Sequence, residues 1–253
     1  MRAPATPAPP PVRLLWTGGW DSSFRLFDLA IRHRVEVQPY YLLEHVRAST
    51  GTEIDTMLAL REALRDQDAG AAALVRPTAY RERRGLPVTR RKGDQIGSLI
   101  GRTHLGKQYR WLSEWAEADG LDGLELSVHR DDRAYLFLKD HVRPDPAVVG
   151  GGYALKDEVE DPAITLFQPF RFPLLDWTKT RMDEHAREHG FEGLLHQTWF
   201  CHSPLRGAPC GTCNPCRYAV QEGMGWRVPR RRQFAGRVYH TAAHLYRGLK
   251  SRT

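Results

Sequence analysis

Leu14-Leu15-Trp16-Thr17-Gly18-Gly19-Trp20-Asp21-Ser22-Ser23 reads as a short apolar strand, a tight glycine turn and a helix start. Val12, Leu14 and Leu15 are strand formers. Gly18 and Gly19 can take positive backbone angles and leave room for a ligand to approach the main chain. Asp21 and Ser22 favour a helix N-terminus, and Phe24, Leu26, Phe27 and Leu29 continue the helix. A helix N-terminus aims unpaired N–H groups outward and carries partial positive charge, so this sequence suits phosphate. The competing reading of the same residues is an ordinary strand-to-helix turn.

Working outward, Val35 to Leu43 reads as a second strand, and Ile54 to Leu64 as a helix with apolar positions at helical spacing. Ala72 to Val75 reads as a third strand, and the basic, Pro/Gly-punctuated segment from Pro77 to Asp94 as a loop or flap. A helical pattern runs from Ile96 to Ala118. Leu124 to Val128 reads as a strand, with His129-Arg130-Asp131-Asp132 just beyond it. Val142 to Pro162, with Gly150-Gly151-Gly152 at its centre, reads as a flexible loop, and Ile164 to Leu175 as an extended apolar piece. Asp176 is the expected cap of the next helix, on which His185 and His189 are expected as surface residues. Strands alternating with helices predict an α/β fold, a parallel sheet with helices on both faces. Ligands of such sheets sit beyond the carboxyl ends of the strands, where the glycine turn, the Tyr41 region and Asp131-Asp132 all fall.

All four cysteines lie in one stretch, Cys201, Cys210, Cys213 and Cys216, spaced C-x8-C-x2-C-x2-C. Four thiolates on a knuckle-like turn meet the tetrahedral sulfur preference of zinc. An iron–sulfur cluster on a subset of them is the competing reading, and His202 is a candidate to replace one sulfur.

The chain of 253 residues is 41% hydrophobic, which suits one α/β domain with an appendage. Residues 1–11 are Ala/Pro-rich without an apolar signal core and are expected as a flexible leader. Residues 12–195 form the expected α/β domain, 196–224 the zinc-binding region and 225–253 a basic C-terminal tail. That tail carries eight Lys/Arg and no acid; without it the formal charge falls from +7 to −1. It suits a nucleic acid or an acidic protein partner, or is simply a solvated face. No apolar run spans a membrane, and a cytoplasmic protein is expected. Gly101 to Gln108 has the spacing G-x4-G-K but lacks the final Ser/Thr and a preceding strand, so it is set aside.

Thr17-Gly18-Gly19-Trp20-Asp21-Ser22 resembles the PP-loop of the ATP pyrophosphatases, S-G-G-x-D-S, with Thr17 at the first position. Together with the cysteine spacing, it makes residues 13 to 224 similar to the 7-cyano-7-deazaguanine synthase (QueC-like) family. His45-Val46-Arg47, Glu53-Ile54-Asp55, Ile100-Gly101-Arg102 and Pro173-Leu174-Leu175 with Lys179 also agree with its pattern. The chain departs from it at Ala219, where the family usually has Arg, and at residues 129–135, which replace its aspartate-rich substrate loop. Trp20 within the turn is unusual.

The resemblance implies an adenine nucleotide alpha hydrolase-like, Rossmann-like fold. It implies ATP with Mg2+ at the active site and a structural Zn2+. The implied reaction activates a 7-carboxy-7-deazaguanine-like acid as an acyl-adenylate, releases pyrophosphate, and converts the acid to amide or nitrile with ammonia. Thr17, Gly18, Gly19, Asp21, Ser22 and Ser23 are expected at the pyrophosphate, with Tyr41 also at the nucleotide. Asp21, Ser22, Arg102 and Lys179 are the catalytic candidates, Asp131 and Asp132 weaker ones for Mg2+ or substrate. Expected partners are the small heterocyclic acid and ammonia or an amine, and a homodimer is compatible with them. The alternatives are a ligase joining the acid to a peptide or protein amine, a tRNA-modifying PP-loop enzyme, and a non-catalytic nucleotide- or nucleic-acid-binding zinc module.

Overall fold

Val12–Leu15 forms β1, which takes a parallel partner on each side. The computed structural model describes residues 9–102 and 105–250, with residues 242–250 as helical backbone only. After β1 come α1 (Trp20–Phe27), continued by a π-turn at Asp28–Arg32, then β2 (Val37–Leu43), α2 (Thr50–Gln67) and α3 (Ala69–Ala73). Next are β3 (Ala79–Glu82), α4 (Arg90–Arg102), α5 (Gln108–Ala118), β4 (Leu124–Glu125) and α6 (Tyr135–Leu138). The chain continues through β5 (Val142–Pro144), β6 (Tyr153–Leu155) and β7 (Phe170–Phe172). It ends with α7 (Lys179–Glu188), α8 (Glu192–Leu195), α9 (Asn214–Gln221) and α10 (Arg230–Lys250).

The seven strands make one sheet in the order β3-β2-β1-β4-β7-β6-β5, parallel from β3 through β7 and antiparallel at β6 and β5. Alternate strand residues face opposite ways. Leu14, Val37 and Tyr41 pack with α1, α2, α7 and α8 on one face, while Leu15, Tyr40 and Leu42 meet α4 and α5 on the other. Each fully buried Leu or Phe in these layers stabilises the fold by about 1.5–3 kcal/mol.

Several local expectations are corrected. Ala69–Ala73 is a helical turn because Asp68 accepts a hydrogen bond from Ala71 N at 2.8 Å and caps an alanine run; Val75 keeps only one bridge to Val37. The third strand lies instead inside the segment read as a flap, as an edge strand whose Arg81 and Glu82 are exposed. The long helix after Ile96 is two helices, α4 and α5, with Gly101 and Gly106 at the break; Thr103 and His104 lie outside the described residues. The regular fourth strand is only Leu124–Glu125, with Leu126 N still donating to Arg171 O at 2.9 Å.

The triple glycine belongs to a β-hairpin. Gly150 and Gly151 take positive φ of 76° and 91° in its turn. A Cβ on Gly152 would lie 2.9 Å from Pro173 Cα, so the hairpin packs tightly on the end of β7. Thr178, not Asp176, caps α7, while Asp176 accepts from the Tyr153 hydroxyl. His185 is held inside by Asp28 at 3.0 Å and by Phe24 and Trp177 rather than lying free on the surface.

The basic tail is helical over Arg230–Lys250, with residues 251–253 outside the described ones. Arg232 ties it to the cysteine loop by donating to Leu205 O, Ala208 O and Pro209 O at 2.9, 2.9 and 2.7 Å. Among the described residues no helix is long and apolar enough to cross a membrane.

Candidate functional site: a charged cleft at the first turn

The turn after β1 is fixed from behind. Trp16 is fully buried, and its indole N–H donates to Ser23 Oγ at 2.9 Å. Thr17 N donates to Ser22 Oγ at 3.3 Å, and Ser22 Oγ lies 3.4 Å from Gly19 O. Gly18 has φ +69°, and a Cβ there would sit 3.2 Å from both Glu53 O and Met57 Cγ. Its carbonyl accepts from Trp199 N at 2.9 Å, which stitches the turn to the chain entering the cysteine loop. Gly19 is the extended N-cap of α1 and brings no side-chain cap. The first-turn N–H groups of α1 therefore lack a partner within the helix.

They open into a cleft of about 1350 Å³. Thr17, Gly19, Trp20 and Asp21 line it from the first turn, Arg47 and Glu53 from the β2 side, and residues 129–133 from beyond β4. These are the carboxyl ends of parallel strands, where the topology places ligands. Lys179 enters from the start of α7, His202, Cys213 and Arg217 from the cysteine region, and Arg227, Tyr239 and His240 from the C-terminal segment.

The charges around Asp21 are interlinked. Its Oδ1 is buried without a hydrogen-bond partner, and His129 Nε2 stands 3.6 Å away. His129 Nδ1 accepts from Asp131 N at 3.2 Å, so the neutral ring carries its proton on Nε2, toward Asp21. Burial raises the Asp132 carboxyl above its usual range, against the pull of its Ala134 N–H bond and His129. Burial opposes the Lys179 charge, but Asp21 and the 2.8 Å bond to Glu222 outweigh it and hold the ammonium above its ordinary pKa. Burial pushes Arg227 down to about 10, partly offset by Asp21. At the β2 side, Glu53 accepts from Tyr41 and Ser49, both at 2.8 Å, and pairs with Arg47 at 3.0 Å. Burial and Arg47 hold the His202 imidazole below its ordinary pKa.

The structure brings Thr17, Gly19, Asp21 and Lys179 together at the cleft, with Asp131 and Asp132 on its wall. Gly18 and Ser22 lie directly behind, shaping the turn. Ser23 and Tyr41 are buried in hydrogen bonds of the scaffold, to Trp16 and Glu53, and do not line the cleft. Arg102 does not line it either; it pairs with Asp161 on the surface. His129 and Arg227 were missed. His129 stands directly after the expected strand, which was the available signal, whereas nothing marks Arg227 within a run of arginines.

The four cysteines are unpaired, and one Sγ from each lies within 4.8 Å of the others. Cys201–Cys213 and Cys210–Cys216 are 3.8 and 3.9 Å apart. Tetrahedral zinc with Zn–S of about 2.3 Å requires sulfurs about 3.8 Å apart. Backbone N–H groups of Cys210 and Cys213 point at Cys201 Sγ and Cys210 Sγ, each at 3.2 Å, as suits thiolate ligands. Hydrogen bonds from Cys201 and Cys216 favour ionisation of Cys213. The cluster can hold a metal ion such as zinc. Trp199 and Phe200 pack beside it while also lining the cleft.

The chain matches no protein-family model and no curated protein.

Proposed function

We propose that this protein is an ATP-dependent, AMP- and pyrophosphate-forming ligase that activates a 7-carboxy-7-deazaguanine-like acid and converts it to the amide or nitrile. The observation that carries the reading is the uncapped first turn of α1 opening into a cleft beyond the strand ends, with Lys179 and Arg227 on its walls. On this reading the sheet is of the Rossmann-like, adenine nucleotide alpha hydrolase type. ATP supplies the adenylyl group that turns a poor carboxylate leaving group into a good one. The N–H groups after Gly19 hold the pyrophosphate end, and Lys179 neutralises charge that develops on phosphate oxygen. Asp21 Oδ1, buried and without a hydrogen-bond partner, fits the inner ligand of Mg2+. The cysteine cluster holds Zn2+ in a structural role, since four sulfurs leave no open position.

A second reading differs only in the acceptor. The cleft, about 1350 Å³, is large enough to admit an amine carried on a peptide or protein as well as free ammonia. Incubation with 7-carboxy-7-deazaguanine, Mg-ATP and either ammonia or a peptide amine, with products resolved by mass, tests both. Amide or nitrile from ammonia supports the first reading, and peptide conjugate the second. Neither product, with no AMP, removes both.

A further inference from the structure

Arg227 lines the cleft without an ion pair within 4.0 Å among the described residues. It lies on the short turn Gly225–Arg227 before α10, outside the stretch on which the resemblance rests. Its guanidinium is packed against aromatic rings, 4.6 Å from the Phe200 centroid and 5.4 Å from that of Trp20, with Trp226 at 5.9 Å. Nη2 donates to the carbonyl of Thr198 and, at 2.9 Å, to its hydroxyl. Those contacts fix its direction but supply no negative charge. Arg47 and Lys179 on the same cleft wall pair with Glu53 and Glu222 at 3.0 and 2.8 Å, whereas Arg227 forms no ion pair within 4.0 Å among the described residues. A largely buried guanidinium held this way is costly unless an anion completes it.

A second orphan stands beside it. Trp20 is 5% exposed and lines the cleft, yet its buried indole Nε1 has no hydrogen-bond acceptor. Its ring stacks on His196 at 6.2 Å, and the Arg227 guanidinium lies 5.4 Å from its centroid. Trp20 is also the residue that sits unusually inside the glycine turn. An N–H without an acceptor and a guanidinium without an ion pair, from two separate elements, flank the same wall on which Lys179 stands. Donors arriving from α1, α7 and the C-terminal segment suit a tetrahedral phosphoryl group better than a planar carboxylate, which a single arginine fork satisfies.

We propose that Arg227 and Trp20 form an anion subsite that binds a phosphate group of the nucleotide, so that the C-terminal segment completes the active site rather than trailing from it. The inference rests on the adenylating function proposed above and adds to it a residue pair outside the glycine turn's phosphate contacts. Arg227 is a binding residue here; the aromatic rings around it are positioning residues.

The test is calorimetric titration of the full-length, metal-loaded protein with inorganic pyrophosphate and, separately, with AMP. The wild type is compared with Arg227→Gln, which can still bond Thr198, and with Arg227→Lys, which keeps the charge. Metal content and circular dichroism establish that each variant is folded. A charge-assisted contact corresponds to a weakening of about 10- to 100-fold in Arg227→Gln. Arg227→Lys should recover part of it, and Trp20→Phe should weaken binding less. Weakening on either probe supports the subsite, and which probe responds identifies the phosphate. Unchanged affinity for both in Arg227→Gln overturns the subsite and leaves the adenylating reading standing. A wild type that binds neither probe overturns both.

Discussion

The two ends of α1 treat buried charge in opposite ways. Toward its C-terminus, Arg25 is 3% exposed and every charge around it is answered: it donates to both Glu125 oxygens at 2.8 and 2.9 Å and to Val149 O at 2.9 Å, with Asp28 at 3.6 Å. Asp28 in turn meets Arg32 at 2.7 Å and His185 at 3.0 Å. This network joins α1 to β4, the hairpin and α7. Toward the N-terminus, a few residues away, Asp21 Oδ1 and Trp20 Nε1 are buried without hydrogen-bond partners and the first N–H groups are uncapped. Buried polar groups are nearly always paired, and each exception needs a reason. Completed charge at one end holds the fold; incomplete charge at the other end is where we propose that the ligand binds.

The comparison can be broken by substitution, and the expected losses of stability fall in a definite order. The largest belongs to the cysteine cluster, which anchors α10 through Arg232. Cys213→Ser, or removal of the metal by chelation, should cost on the order of 10 kcal/mol of local order. Metal-poor protein nicked by protease between residues 201 and 250 is the expected result; a metal-free protein as resistant as the wild type would show that the cluster holds nothing in place. Next is Arg25→Met, which strands the Glu125 carboxylate inside the sheet and should cost about 3–5 kcal/mol in urea unfolding. A midpoint unchanged from the wild type would make the network incidental.

Gly236→Ala comes third. A Cβ there would fall 2.0 Å from Gly211 O, backbone against backbone, so α10 must shift on the knuckle. About 1–3 kcal/mol is expected, read as a lower melting temperature.

A smaller and pH-dependent loss is expected at Asp28. Burial raises its pKa, but hydrogen bonds from Arg32 and His185 prevail and hold it below 3.8. Its contribution is therefore full above 3.8 and is lost as pH falls through the lower folded value. Melting curves of wild type and Asp28→Asn should be separated at neutral pH and converge in acid. A gap that widens in acid would reverse the sign of the argument. The smallest change in stability is expected at the opposite end of the helix. Asp21→Asn removes a charge that has no hydrogen-bond partner on that oxygen, so the fold should lose less than about 0.5 kcal/mol, while turnover is abolished.

The sequence made the sheet and the first turn legible because strand, glycines and helix start were contiguous and each residue type pointed the same way. The cysteine cluster was legible for a similar reason: its spacing is local. What could not be read depended on partners far along the chain. Ser23 looked like a phosphate ligand because the indole of Trp16, which claims it, reveals nothing of its direction in one dimension. Arg102 matched a pattern yet faces Asp161. The hairpin at Gly150–Gly152 looked like a loop because its strands are short and its glycines serve a close approach to β7. Arg227 and Arg232 were hidden in a charge run, where composition suggests a solvated tail, although one enters the cleft and the other grips the carbonyls of the cysteine loop.

The most direct test of the account is the acid-dependent release of AMP and pyrophosphate, measured together on the wild type and on Asp21→Asn after both have been shown to melt alike. With Mg-ATP, ammonia and 7-carboxy-7-deazaguanine, the wild type should release AMP and pyrophosphate in equal amounts, only when the acid is present, and Asp21→Asn should release neither. Equal turnover by the two proteins, or ADP and phosphate in place of AMP and pyrophosphate, would contradict the assignment of the first turn of α1 as the site of adenylation.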